Sequence, residues 1–84
     1  MVANLNFANG LDTEAKETIR DMFEYHKWNE LQIAQGGEVR EALMKAVEVI
    51  VEHVPASPDR SAAIRKLREA RMDCNSAITH GGKY

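Results

Sequence analysis

The chain is 84 residues long, with eleven Lys+Arg, thirteen Asp+Glu and a formal net charge of -2, which allows one small domain and excludes a protein that coats nucleic acid over its whole surface. With 44% hydrophobic and 29% charged residues it reads as globular rather than disordered. No apolar run approaches the ~20 residues of a membrane span, and the N-terminal MVANLNFANG lacks the basic start and apolar stretch of a signal peptide. The single cysteine, Cys74, has no internal disulfide partner, as expected in a reducing cytoplasm. A domain of this size buries only about 60% of its unfolded surface, so self-association is expected on size alone.

Residues 1–11 are Asn-rich and read as an irregular arm. Asp12 is placed to cap a helix over 12–24, with Ala15, Ile19, Met22 and Phe23 on one face. The periodicity breaks at Tyr25-His26-Lys27-Trp28, and Asn29 with Gln32 then has the spacing of a reciprocal capping pair. A long helix follows over 30–53, its stripe formed by Val39, Leu43, Ala46, Ile50 and Val54 and widened by Ala42 and Val47. Gly36-Gly37 lies inside it; each glycine costs roughly 1 kcal/mol against alanine, which predicts a bend, a fray or a close backbone contact.

Pro55 stops that helix; Ser57, Pro58 and Asp59 then supply an N-cap, an N1 proline and an acid for the dipole. The third helix spans 58–79 and ends before Gly81-Gly82. Its stripe of Ala63, Leu67, Ala70, Cys74 and Ala77 is mostly small, which suits close packing of the two long helices. The expected fold is all-α, one helical domain: a short N-terminal helix and a long antiparallel helical hairpin, assembling as a homo-oligomer.

Charge is unevenly spread. Residues 1–54 carry five basic and ten acidic side chains, whereas residues 55–84 carry six basic and three acidic ones. This asymmetry suits an anionic ligand or another chain's acidic half, or simply two oppositely charged helices. Ser61, Arg65, Arg68, Met72, Asn75 and Thr79 fall within an arc of about 80° on the third helix, flanked by Arg60 and Arg71. Near the helix N-terminus such arginines bind anions; the alternative is a solvated face paired with Glu41, Glu48 and Glu52.

Catalysis is poorly supported. His26, His53 and His80 lie on different segments, Cys74 falls on an inner stripe, and Ser61 has no histidine beside it. No metal, no cofactor and no enzymatic activity are expected. Tyr25, His26, Lys27 and Trp28 offer two aromatics, an imidazole and a cation at an interhelical joint. Such residues stack on nucleobases and answer phosphates; alternatively Tyr25 and Trp28 plug the joint.

Tyr25-His26, then Asn29-x-x-Gln32, then Val39-Arg40, together with PDRSAAIRKLREARMDCNSAI over Pro58–Ile78, resemble the phage anti-CBASS type-2 cyclic-oligonucleotide sponge family, whose helical hairpin is shared with the anti-Thoeris type-1 sponge. The resemblance spans Tyr25 to His80. It implies a homohexamer in the cytoplasm of an infected bacterium that sequesters cyclic di- and trinucleotides of CBASS immunity, such as 3′,3′-cyclic GMP–AMP, without cleaving them. Effectors then stay inactive, and no DNA or RNA polymer is bound. It also implies a dinucleotide pocket between protomers at Tyr25, with His26 and Lys27 beside it, Arg40 as the basic partner, and Trp28 adjoining. A trinucleotide pocket is implied at Arg60, Ser61, Arg65, Arg68, Asn75 and Thr79. Trp28 stands where the family has proline, Gly36-Gly37 replaces stronger helix formers, and Asp73-Cys74 replaces Trp-Ala. The rival reading is a small helical nucleic-acid-binding or protein-interaction module.

Overall fold

Each helix starts where a side chain satisfies the orphan N–H groups of the first turn. Asp12 Oδ1 accepts from the Ala15 N–H at 2.8 Å and opens α1 (Thr13–Phe23). At α2 (Glu30–His53) the cap is reciprocal: Gln32 N–H donates to Asn29 Oδ1 at 2.8 Å while Asn29 N–H donates to Gln32 Oε1 at 2.9 Å. Ser57 Oγ accepts from the Arg60 N–H at 3.1 Å and opens α3 (Pro58–His80), with Pro58 in the first turn. Each such cap contributes ~1 kcal/mol. Gly81, left-handed at φ 62°, closes α3, a conformation that favours glycine. The computed structural model describes residues 10–84, and among them there is no strand. The arm expected over 1–11 lies outside the described residues except for Gly10 and Leu11, which are exposed and irregular.

The long helices touch at both ends. Gln32, in the first turn of α2, donates from Nε2 to the Ile78 carbonyl near the end of α3 at 3.0 Å. At the other end Arg60 Nη1 donates to the Val54 carbonyl at 3.1 Å and the Val51 carbonyl at 3.5 Å, satisfying acceptors that a helix C-terminus leaves unpaired. Between them Leu43, Val47, Ile64 and Leu67 are half-buried and line a cleft of about 420 Å³.

The core is thin. Among the described residues Ala15, 6% exposed, is the one buried hydrophobic side chain. The apolar face expected for α1 is incomplete: Ile19 and Met22 are half-buried, but Phe23 is 80% exposed. Ala42, Val54 and Ala77, expected on inner stripes, are exposed as well. Two helices packed side by side bury one stripe each and nothing behind it. The dimensions agree: a radius of gyration of 16.8 Å and extents of 50 × 32 × 20 Å contrast with the roughly 12 Å radius of a compact chain of this length. No helix of the described chain is long and apolar enough to cross a membrane.

Candidate functional site

The joint between α1 and α2 divides the aromatic pair. Trp28 turns inward: its Nε1–H donates to Thr79 Oγ1 at 2.7 Å, and its ring lies over Gly36 of α2. A Cβ at Gly36 would sit 2.6 Å from Cη2 of that ring and nearer still to Cζ3. Glycine is therefore required there by the indole, while Gly37 has open space around it. Of the three outcomes expected for the glycine pair, a close contact is the one found, at Gly36. Tyr25, by contrast, is 89% exposed. It plugs no joint among the described residues, and Lys27 beside it is exposed too.

The basic residues divide in the same way. Arg60 is held by the carbonyls at the end of α2, and Thr79 by Trp28, so both have packing roles. Ser61 is exposed. Arg65, Arg68 and Asn75 come together with Arg71, Glu69 and Met72 around one cleft of about 480 Å³ on α3. Among the described residues no carboxylate lies within salt-bridge distance of Arg65, Arg68 or Arg71. Pairing with Glu41, Glu48 and Glu52 is thus not found. Arg40 stands on α2, its Nη2 3.4 Å from Glu41 Oε1 with both side chains largely exposed, a contact of little energetic weight. It lines the apolar α2–α3 cleft together with Arg68 and Arg71.

A cluster that the sequence does not reveal forms where α1, the joint and the end of α3 meet. Asp21 Oδ2 accepts from the Tyr84 hydroxyl at 2.5 Å and from Lys83 Nζ at 3.2 Å. His26 Nε2 is 2.8 Å from the Asp21 carbonyl oxygen, and the His26 and His80 rings meet edge to face at 5.1 Å between centroids. The Tyr84 hydroxyl first, then the Lys83 ammonium, hold the Asp21 carboxyl below its ordinary value, against a small opposing effect of burial. Donation to Asp21 in turn pushes the Tyr84 phenol up to about 12. His26 is half-buried in this cluster rather than standing beside Tyr25 as a free group.

The surface offers guanidinium and ammonium cations, an exposed phenol ring and amide donors, a set suited to phosphates and bases. No protein-family model, curated protein or solved structure matches the chain.

Proposed function

We propose that this protein is a phage anti-immune sponge that binds cyclic di- and trinucleotides of bacterial CBASS defence in the host cytoplasm, without cleaving them, and so keeps their effectors inactive. The observation that carries the reading is the face of α3: three arginines with no carboxylate in salt-bridge range among the described residues, gathered with Glu69 and Asn75 around one cleft, in a chain whose net charge is negative. Guanidinium groups left free to donate in pairs are matched to phosphodiester oxygens. Tyr25, projecting from the joint at 89% exposure, presents a ring on which a base stacks.

The same reading has α2 and α3 work as a helical hairpin in a homo-oligomer, with a hexamer as the family form. Leu31 at 66%, Ile33 at 60%, Met44 at 51% and Met72 at 63% exposure give large apolar side chains that a second copy covers. Ten residues of α2 separate Glu30 from Arg40, about 15 Å of helix, and Tyr25 lies further back along the chain. In this reading Tyr25 and Arg40 meet one compact ligand as contributions from different copies, at a pocket between protomers.

Charge reversal tests the arginine face. Arg65→Glu and Arg68→Glu each remove a charge-assisted contact of about 1.5–3 kcal/mol, which weakens a cyclic trinucleotide about 10- to 100-fold and leaves 3′,3′-cyclic GMP–AMP nearly unaffected. If both ligands bind the variants as they bind the parent, the α3 assignment is wrong. Tight binding of DNA or RNA oligomers with a steep salt dependence would instead favour a nucleic-acid-binding module.

A further inference from the structure

The geometry points to a site for one divalent first-row transition ion, with Zn²⁺ as the natural probe, held by Asp21, His26 and His80. These residues come from α1, from the segment joining it to α2, and from the last turn of α3. The inference is independent of nucleotide binding.

The three side chains bring one ligand atom each to within 4.8 Å of the others. A tetrahedral zinc with bonds of about 2.0–2.1 Å sets its ligand atoms roughly 3.4 Å apart. The separation of His26 Nε2 from Asp21 Oδ1 is 3.7 Å, and that of His80 Nδ1 from Asp21 Oδ2 is 3.8 Å. The two distances run to different carboxylate oxygens: an ion on Oδ2 already has His80 near the required edge, while His26 closes from within 4.8 Å. The remaining closure falls to His26, which sits on the irregular segment after α1, where ring and backbone adjust at small cost.

His80 is the most enclosed of the three. Its side chain is only 7% exposed, against 32% for His26 and 33% for Asp21, and its Nδ1 faces the Asp21 carboxylate. Two imidazoles and a carboxylate are the donors of zinc sites that keep an open fourth position. The Tyr84 hydroxyl, already on Asp21, supplies the outer hydrogen bond that orients a ligating carboxylate.

Two contacts oppose the ion and define its test. His26 Nε2 exchanges its 2.8 Å contact with the Asp21 carbonyl for the metal, with the imidazole proton on Nδ1. The Lys83 ammonium, 3.2 Å from Asp21 Oδ2 and 51% exposed, swings into solvent. Removing that competing charge must therefore tighten binding, which a purely structural ion pair would not do.

The experiment titrates the chelator-stripped full chain with Zn²⁺ by calorimetry and with Co²⁺ by visible absorption. It is repeated on His26→Ala, His80→Ala, Lys83→Ala, His53→Ala and Cys74→Ser, with helicity monitored by circular dichroism. The expected result is one ion per chain with Kd below about 10 μM. Affinity should fall at least tenfold in His26→Ala and His80→Ala, on the order of what a lost ligand costs, rise a few-fold in Lys83→Ala, and stay unchanged in the other two. Should His80→Ala lose its helicity, His26→Ala decides. Absence of binding at about 100 μM, or binding that survives His26→Ala or depends on His53 or Cys74, overturns the site.

Discussion

Gly36 and Gly37 are chemically identical neighbours with opposite expected responses to a single methyl group. In an α-helix interior, glycine to alanine gains about 1 kcal/mol, chiefly from backbone entropy. Gly37→Ala collects that gain, because nothing lies within 4 Å of the added Cβ. At Gly36 the same Cβ falls 2.6 Å from Cη2 of Trp28. The ring cannot remain in place, and moving it breaks the 2.7 Å bond from Nε1 to Thr79 Oγ1.

Overpacking of this kind costs about 1–3 kcal/mol, and the lost hydrogen bond about 0.5–1.5 kcal/mol. Against a propensity gain of about 1 kcal/mol, Gly36→Ala is destabilising by roughly 0.5–3.5 kcal/mol. At about 4–8 °C per kcal/mol for a domain of this size, Gly37→Ala melts several degrees higher than the parent and Gly36→Ala several degrees lower. Circular dichroism melts at one fixed protomer concentration measure both, and fluorescence of Trp28, the sole tryptophan, follows the joint itself. If Gly36→Ala melts as high as Gly37→Ala, or leaves the Trp28 emission unchanged, the account of the joint is wrong.

Tyr25→Ala should weaken 3′,3′-cyclic GMP–AMP by about 5- to 150-fold, the equivalent of ~1–3 kcal/mol of base stacking, while the melting temperature stays put because the ring is 89% exposed; a matching fall in both would make Tyr25 a packing residue. Asp21 is lowered in the folded state by Tyr84 and then Lys83, so its stabilising contribution is present above the unfolded carboxyl value near 3.8 and is lost as pH falls through the lower folded one. Asp21→Asn should accordingly flatten the acid limb of a denaturation profile below the unfolded carboxyl value of 3.8. The Tyr84 phenol, raised from 10.0 to about 12, contributes stability that is present below pH 10 and lost as pH rises towards 12. Absorbance titration, with Tyr84→Phe to assign the step, should find it moving down in Asp21→Asn, and an unmoved step would contradict the bond.

The local chemistry of the fold is legible in the sequence. The caps at Asp12, Asn29 with Gln32, and Ser57 depend on residues three apart, and the breaks at Pro55 and Gly81 on single residues, so the three helices are readable from short windows. Which side each helix buries is only partly readable. A period of 3.6 residues identifies an apolar stripe but not whether anything covers it, and Phe23, Val54 and Ala77 lie uncovered within one chain.

The candidate sites depend on pairings across the chain. Thr79 falls on the same helical arc as Arg65 and Arg68, yet its hydroxyl is taken by Trp28, 51 residues away. Asp21 and Tyr84 are 63 residues apart, and neither periodicity nor spacing links them to His26 and His80. The position of Arg60 beside the end of α2 likewise follows from the return of α3 after the Pro55 turn, not from its own sequence neighbours.

The central claim is sequestration without cleavage, and calorimetric titration of the purified protein with 3′,3′-cyclic GMP–AMP, then with a cyclic trinucleotide, tests it most directly when the ligand is recovered by heating and identified by chromatography. The account predicts saturable binding with the cyclic ligand released intact. Heat-released linear products, or no binding of either ligand class, would contradict it.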